Sequence, residues 1–309
     1  MINFRFHLVS LTAVFLALAI GIAMGATVVD QATVKLLRSQ LDNVRNRSND
    51  TNDQNDALRA EISRWRRFGD QGNELVRGRL AQGPAITLVV VRGVDHTVVD
   101  DLRQTLTVAG ATLEGTTWFT SKLRLDKPED AQTLSNILGV TAKPDVLRHD
   151  AVTALADGWA AGASPALATA LRDNGFVDFE PGPAPPNDLA SVPSAHSQFV
   201  IVSDATPDVA NDQVAVPFTA ELTRTAPGRV LAAEPGRDAT RKLPAQRAVF
   251  LHDLRGDNTL AGHLSTIDDL ESFRGRMGTV LALIGLVAGH AGNYGEGPGA
   301  SRVLPEAPA

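Results

Sequence analysis

Cysteine is absent from the 309 residues, and methionine occurs only three times. Without cysteine the chain can form no disulfide, no thiolate metal site and no cysteine nucleophile. It also has no basic cluster, and its formal net charge of −6 and pI near 5.6 argue against nucleic acid as a partner. The seven histidines and the carboxylates remain as the candidate metal ligands.

Catalytic motifs are missing as well. The chain contains no G-x-S-x-G motif, and the glycine-rich segment 295–299 follows no predicted strand and opens no helix, unlike a phosphate-binding loop. Asp268, Asp269 and Glu271 are interpreted as a charge cluster at the N-terminus of a helix. We therefore expect no enzymatic activity and assign no catalytic residue.

A long uncharged segment follows the short N-terminal tail of residues 1–7. Residues 8–29 carry no ionisable side chain, and about 20 apolar residues suffice for a helix to cross a bilayer. A cleaved signal peptide is the alternative, with Arg5 before the apolar core and Ala23 and Gly25 at a cleavage site. Because signal cores are typically only about 7–15 residues long, the length favours a retained anchor. A short N-terminus before a first apolar segment usually behaves as a signal anchor, so we expect the C-terminal domain to be extracytoplasmic.

Small residues recur every fourth position within this segment, which places them on one face of a helix. Such a face allows two membrane helices to pack closely, although alanine and glycine are also common in membrane helices for other reasons. The predicted membrane dimer face consists of Ala13, Ala17, Gly21 and Gly25.

Residues 31–68 are predicted to form a coiled-coil stalk. Spacings of three and four alternate without a break along the seam, and Asn55 occupies an a position, where asparagine selects register and dimers. The alternative is a single helix packed on the globular domain. The seam consists of Val34, Leu37, Leu41, Val44, Ser48, Thr51, Asn55, Leu58, Ile62 and Trp65.

Residues 84–290 are predicted to form an α/β domain with a mainly parallel sheet, since continuous apolar strands alternate with helices. An apolar helical core at 277–288 is too short to span a bilayer and is interpreted as a buried helix. Residues 291–309 are expected to be a Gly/Pro-rich flexible tail. The predicted strands are 86–91, 111–119, 176–179, 199–202, 229–233 and 247–251, and the predicted helices are 98–109, 128–138, 145–159, 165–174, 214–225 and 273–288.

Three polar pairs follow predicted strands of this domain. Ligands of open α/β sheets bind outside the carboxyl ends of strands, so these pairs could converge on one crevice and bind a divalent metal or a small polar ligand. The alternative is that they are ordinary turn residues. The pairs are Asp95 and His96, Ser203 and Asp204, and His252 and Asp253, of which all but Ser203 are candidate metal ligands.

Several segments resemble the actinobacterial copper transporter family known as MctB. The similarity is carried by residues 6–25 (FHLVSLTAVFLALAIGIAMG), 171–176 (LRDNGF), 265–269 (STIDD), 276–283 (RMGTVLAL) and 292–295 (GNYG). The resemblance implies an envelope protein with an N-terminal anchor, a coiled-coil stalk and an extracytoplasmic domain that serves copper efflux or tolerance.

The same resemblance leaves a second role open, because relatives have also been tied to cell separation as partners of a cytoplasmic protein. The two hypotheses are therefore a copper-handling component, with copper ions as the only expected metal, and a non-enzymatic scaffold that acts with a partner. Both predict a membrane location and a homodimer formed through stalk and anchor.

Overall fold

A computed structural model describes residues 4–162, 165–183, 185, 188–236 and 249–306, without the side chains of residues 4, 26–34, 65–71 and 73. The chain divides into two compact units, Met1–Phe68 and Gly69–Ala309. Helix α1 (Phe4–Val76) contributes residues to both units. The predictions for the side chains of Val34 and Trp65 lie outside the described residues.

The first unit contains the apolar segment Arg5–Gly25, which is long and apolar enough to cross a membrane. Its mean hydropathy is 2.3, and none of it is buried within the chain. Further along α1, the apolar seam residues are also exposed, at 53% for Leu41 and 56% for Leu58. A membrane-spanning helix thus agrees with the structure, whereas the coiled coil stays a prediction.

Seven strands and seven further helices, counted over the described residues, form the second unit. The sheet has the order β3-β2-β1-β4-β5-β6-β7, and every pair is parallel except β2 with β3. The strands are β1 (Ile86–Val91), β2 (Leu113–Phe119), β3 (Val177–Pro181), β4 (Gln198–Val202), β5 (Val230–Ala233), β6 (Leu264–Ile267) and β7 (Asn293–Tyr294), and the helices are α2 (His96–Val108), α3 (Pro128–Leu138), α4 (Pro144–Ala160), α5 (Pro165–Asp173), α6 (Ala215–Thr225), α7 (Val249–Gly256) and α8 (Phe273–Val287).

Both faces of the sheet are covered by helices, which explains the continuous apolar strands. Along β1, Val89 packs with the core under α3 to α7, while Leu88 and Val90 pack with the core under α2 and α8. The apolar helix α8 buries residues such as Leu283, as predicted for a segment too short to cross a membrane. The prediction of an α/β domain with a mainly parallel sheet is confirmed.

The predicted strand at 247–251 is wrong for residues 249–251, which begin helix α7. Residues 247 and 248 lie outside the described residues. A short apolar run such as Val-Phe-Leu fits a buried strand and a buried helix equally well. The sequence does not predict the last two parallel strands, because β6 has only four residues, of which the middle two are polar, and β7 has only two residues.

The glycine-rich segment after α8 differs from the flexible tail expected from its composition. Strand β7 pairs with β6, and the N–H of Gly295 donates to the carbonyl of Arg302 at 2.9 Å. The carboxylate of Asp268 accepts the N–H groups of Glu296 at 2.7 Å and Gly297 at 3.0 Å. The described part of the segment, up to residue 306, is therefore tied to the sheet.

A buried ion pair completes this attachment. Arg255 of α7 donates to the Asp268 carboxylate at 3.0 Å, and each side chain is only 2% exposed. The same guanidinium donates to the carbonyls of Tyr294 at 2.7 Å and Pro298 at 2.9 Å. Asp268 is thus a buried acceptor at the end of β6 rather than a charge at the start of a helix, which corrects the sequence interpretation.

Asp268→Ala should lower the free energy of unfolding by about 3–5 kcal/mol, because it leaves a buried guanidinium without its negative partner and two N–H groups without their acceptor. Asp173→Ala is the control, since Asp173 pairs with Arg172 at the surface and such pairs contribute at most about 1 kcal/mol. Urea unfolding followed by tryptophan fluorescence measures both. Equal losses in the two variants would show that the ion pair does not hold the tail.

Candidate functional site

The sheet changes its winding direction between β1 and β4. These strands are parallel neighbours, and the chain continues from β1 towards β2 and β3 on one side and from β4 towards β5, β6 and β7 on the other. In open α/β sheets, ligands bind at the carboxyl ends of the strands at such a point. The loops that follow β1 and β4 are therefore the first place to look for a site.

Four side chains form a cluster beyond the end of β1, which we call the Trp118 cluster: Arg92, His96, Trp118 and Asp178. The His96 ring stacks on Trp118 with 4.6 Å between centroids, and the Arg92 guanidinium lies 4.5 Å from the same ring centroid. Arg92 also donates to the Asp178 carboxylate of β3 at 2.8 Å. The cluster therefore links the ends of β1, β2 and β3 through stacking, cation–π and ionic contacts.

His96 uses one ring nitrogen within this cluster. Its Nε2 lies 3.1 Å from Nη1 of Arg92, and because a guanidinium can only donate, Nε2 is the acceptor in this contact. Trp118 is 1% exposed, and its Nε1–H has no hydrogen-bond partner among the described residues. A metal ion at Nε2 of His96 would first have to displace Arg92.

Asp95 lies next to His96 but serves the helix. Its Oδ1 accepts the N–H of Thr97 at 2.9 Å, which makes Asp95 the N-cap of α2. The aspartate preceding a helix is therefore explained by backbone capping, one of the ordinary turn roles considered from the sequence.

The loop after β4 occupies the space beside β1. The N–H of Asp208 donates to the carbonyl of Arg92 at 2.6 Å. A Cβ on Gly93, whose φ is +108°, would lie 2.7 Å from the backbone nitrogen of Asp208, so only glycine allows this approach. The loops after β1 and β4 are thus packed directly on each other at the switch point.

The two remaining polar pairs lie in the loop after β4 and on helix α7. Ser203 donates to Oδ1 of Asn211 at 2.6 Å, and Oδ1 of Asp204 accepts the N–H of Thr206 at 2.6 Å. His252 and Asp253 are exposed residues of α7, so the premise that they follow a strand is wrong.

Within the residues that the structure describes, no group of three or more His, Cys, Asp or Glu could hold a metal ion. The strand-end positions of Asp95, His96 and Asp204 agree with the sequence interpretation. A shared metal site of all five candidates stays a prediction.

The most perturbed carboxylate at this edge is Glu234, which the sequence analysis did not select. It follows β5, is fully buried, and accepts the N–H groups of Val249 at 2.9 Å and Leu251 at 3.1 Å at the start of α7. Burial raises the pKa of Glu234 to about 7, and the negative charge of Asp204 acts in the same direction. No motif marks this residue, because its donors come from a distant helix.

The predicted membrane dimer face lies on the apolar segment of α1. Ala13, Ala17, Gly21 and Gly25 are all exposed, and a Cβ built on Gly21 or Gly25 would meet no atom within 4 Å. The face is therefore unoccupied by the chain itself, and its pairing with a second copy stays a prediction.

These features define a class: an α/β protein with a mainly parallel sheet, preceded by a helix of membrane-spanning length and composition. Residues 1–305 match the family described as copper transport outer membrane protein, MctB, and the chain belongs to this family. The resemblance found in the sequence is thereby confirmed.

Relatives of known name cover nearly the whole chain. This chain is 30% identical over 329 residues to copper transporter MctB of Mycobacterium tuberculosis and to that of Mycobacterium bovis, with 98% of this chain and 99% of each relative aligned. Copper transporter MctB of Mycobacterium leprae is 27% identical over 330 residues, with the same coverage. The similarity therefore includes the N-terminal helix as well as the α/β domain.

Glu234→Gln should flatten the pH dependence of stability. The pKa of Glu234 in the folded chain, about 7, lies above its ordinary value of 4.5, so the folded chain binds this proton more tightly than the unfolded chain. The stabilisation is complete below pH 4.5 and is lost as pH rises through 7, with a span of roughly 3 kcal/mol.

Urea unfolding at a series of pH values measures this slope. Glu129→Gln, at an exposed position of α3, should keep the wild-type slope. Glu271, whose pKa is also raised by burial, leaves a residual slope in both variants. If Glu234→Gln and Glu129→Gln have the same slope, the burial of Glu234 does not cause the pH dependence.

Proposed function

We propose that this chain is a membrane-anchored cell-envelope protein that serves copper efflux or copper tolerance. The observation that carries the proposal is the full-length relationship to proteins named copper transporters, which extends over the apolar N-terminal helix and the α/β domain alike. In this arrangement Arg5–Gly25 is a retained anchor, the short N-terminal tail is cytoplasmic, and the α/β domain is extracytoplasmic.

The composition of the chain supports a copper role that involves more than one chain. Reduced copper prefers cysteine and methionine, but the chain has no cysteine and its methionines are Met1, Met24 and Met277. Met24 lies in the apolar segment and Met277 in α8. A single membrane-spanning helix also cannot enclose a path for an ion by itself. Copper would therefore be handled by several copies or together with a partner protein.

The second candidate is a non-enzymatic scaffold or regulator of the cell envelope or of cell separation. The observation that favours it is the exposed apolar face of α1, which includes Leu37 at 52% and Ile62 at 50% exposure. Exposed apolar stripes of this spacing are typical of helices that associate with another helix. Such a protein would recruit a cytoplasmic or envelope partner without binding copper.

Growth of a host strain that lacks the chain distinguishes the two candidates. The full chain should restore growth in raised copper to the parental level, because the anchor holds the domain where copper is exported. The matched control is a chain in which Arg5–Gly25 is replaced by a cleavable signal peptide, which should restore little growth. Raised zinc tests whether the effect is specific to copper.

Unchanged copper sensitivity combined with cells that fail to separate would contradict the copper proposal and support the scaffold. Copper titration of the purified full chain in detergent provides an independent readout. His96→Ala and His252→Ala should leave copper binding unchanged if the metal is bound between chains by other groups. A loss of stoichiometric binding in these variants would instead support a metal site that includes these two histidines.

A further inference from the structure

The two edges that flank the exposed seam of α1 differ in their charged residues. With Leu41, Ser48, Asn55 and Ile62 at a positions, each flanking edge of the helix has its own composition. We propose that this face pairs with the same face of a second copy of the chain, in parallel and in register. The inference goes beyond both candidate functions, because a scaffold and a copper-handling protein could each act as such a pair.

One edge of the seam is repeatedly basic. Three of the four e positions from 38 to 59 hold exposed arginines, Arg38, Arg45 and Arg59, and the fourth holds Asn52. Charges at e and g positions set the partner and orientation of coiled coils. Two antiparallel copies would bring this arginine edge against itself, so repulsion disfavours that arrangement.

The opposite edge is suited to receive the arginines. In a parallel pair, an e residue lies beside the g residue of the preceding heptad in the partner helix. Arg45 then lies beside Gln40, and Arg59 lies beside Gln54, whose side-chain oxygens can accept hydrogen bonds from a guanidinium.

One g position, Arg47, is basic. In the parallel pair it lies beside Asn52 of the other helix rather than beside another cation. Arg59 is also within 3.2 Å of Asp56 on its own helix, but both side chains are more than 70% exposed, so this contact is weak and leaves the guanidinium available. The parallel arrangement therefore places no two like charges at neighbouring e and g positions between 38 and 61.

The polar centre of the seam also favours register with an identical chain. Asn55 at an a position meets its own copy only when two identical helices are aligned, and such a pair selects dimers at a cost in stability. The hydroxyl of Thr51 already donates to the carbonyl of Arg47 at 2.7 Å, so burying it leaves no unpaired donor. Two copies anchored through the same N-terminal segment also point in the same direction.

Single cysteines test the pairing without background, because the chain contains none. Leu41→Cys and Leu58→Cys, at a and d positions near the two ends of the seam, should each give a covalent dimer with a short bismaleimide in detergent-solubilised full chain. Ser39→Cys, exposed on the opposite face, should not. Cross-linking in a mixture of Leu41→Cys and Leu58→Cys chains, but in neither alone, would show an antiparallel pair and overturn the proposal.

Monomer in all samples, or equal cross-linking of Ser39→Cys, would also overturn it, and neither result would affect the copper growth test.

A matched charge pair tests the edge contacts. Gln54→Arg places a cation beside Arg59 of the other copy and should weaken dimerisation about fivefold by sedimentation equilibrium, whereas Ala60→Arg adds the same charge on the outer face and should not. Equal dissociation constants would contradict the proposed e–g contacts.

Discussion

A parallel sheet presents apolar side chains on both faces, and both faces must be covered by helices for the sheet to persist in water. In this chain the requirement is met by α2 and α8 on one side and by α3 to α7 on the other. Two buried carboxylates, Glu234 and Asp268, directly follow β5 and β6 at the carboxyl edge of the sheet. There the buried pair of Arg255 and Asp268 and the carboxylate of Glu234 fix the loops and the C-terminal segment.

The carboxyl edge of the sheet, where other α/β proteins bind ligands, is used here largely for internal contacts. Asp95 caps a helix, Arg92 and His96 stack on Trp118, and Asp208 seals the loop after β1 against the loop after β4. Each polar side chain that the sequence suggested as a ligand has a local structural partner or lies in a different place. The topology alone thus identifies the edge but not a use for it.

The sequence predicts those helices whose first and last turns are set by residues within the helix or directly beside it. Helix α3 has the bounds that the sequence predicts from Pro128 in its first turn, and in the structure Gly139 ends it at a φ of +67°. The apolar start of α7 has no such signal, and its N–H groups are satisfied by Glu234, which is far away in sequence. The composition of the glycine-rich end predicts a flexible tail. Its attachment cannot be read from the sequence, because its partner, Asp268, comes close to it only in the assembled sheet.

The two units differ in character, because the first contains an apolar helix of membrane-spanning length and the second is a folded α/β domain. A helix that spans the membrane and continues into an exposed apolar seam would hold two copies of the α/β domain together, at an effective concentration set by the stalk rather than by the cell. Within the part of the chain that the structure describes, no three or more His, Cys, Asp or Glu residues could hold a metal ion. If the proposed copper role is correct, ligands from a second copy or from a partner protein would therefore have to complete a copper site, because the chain also lacks cysteine.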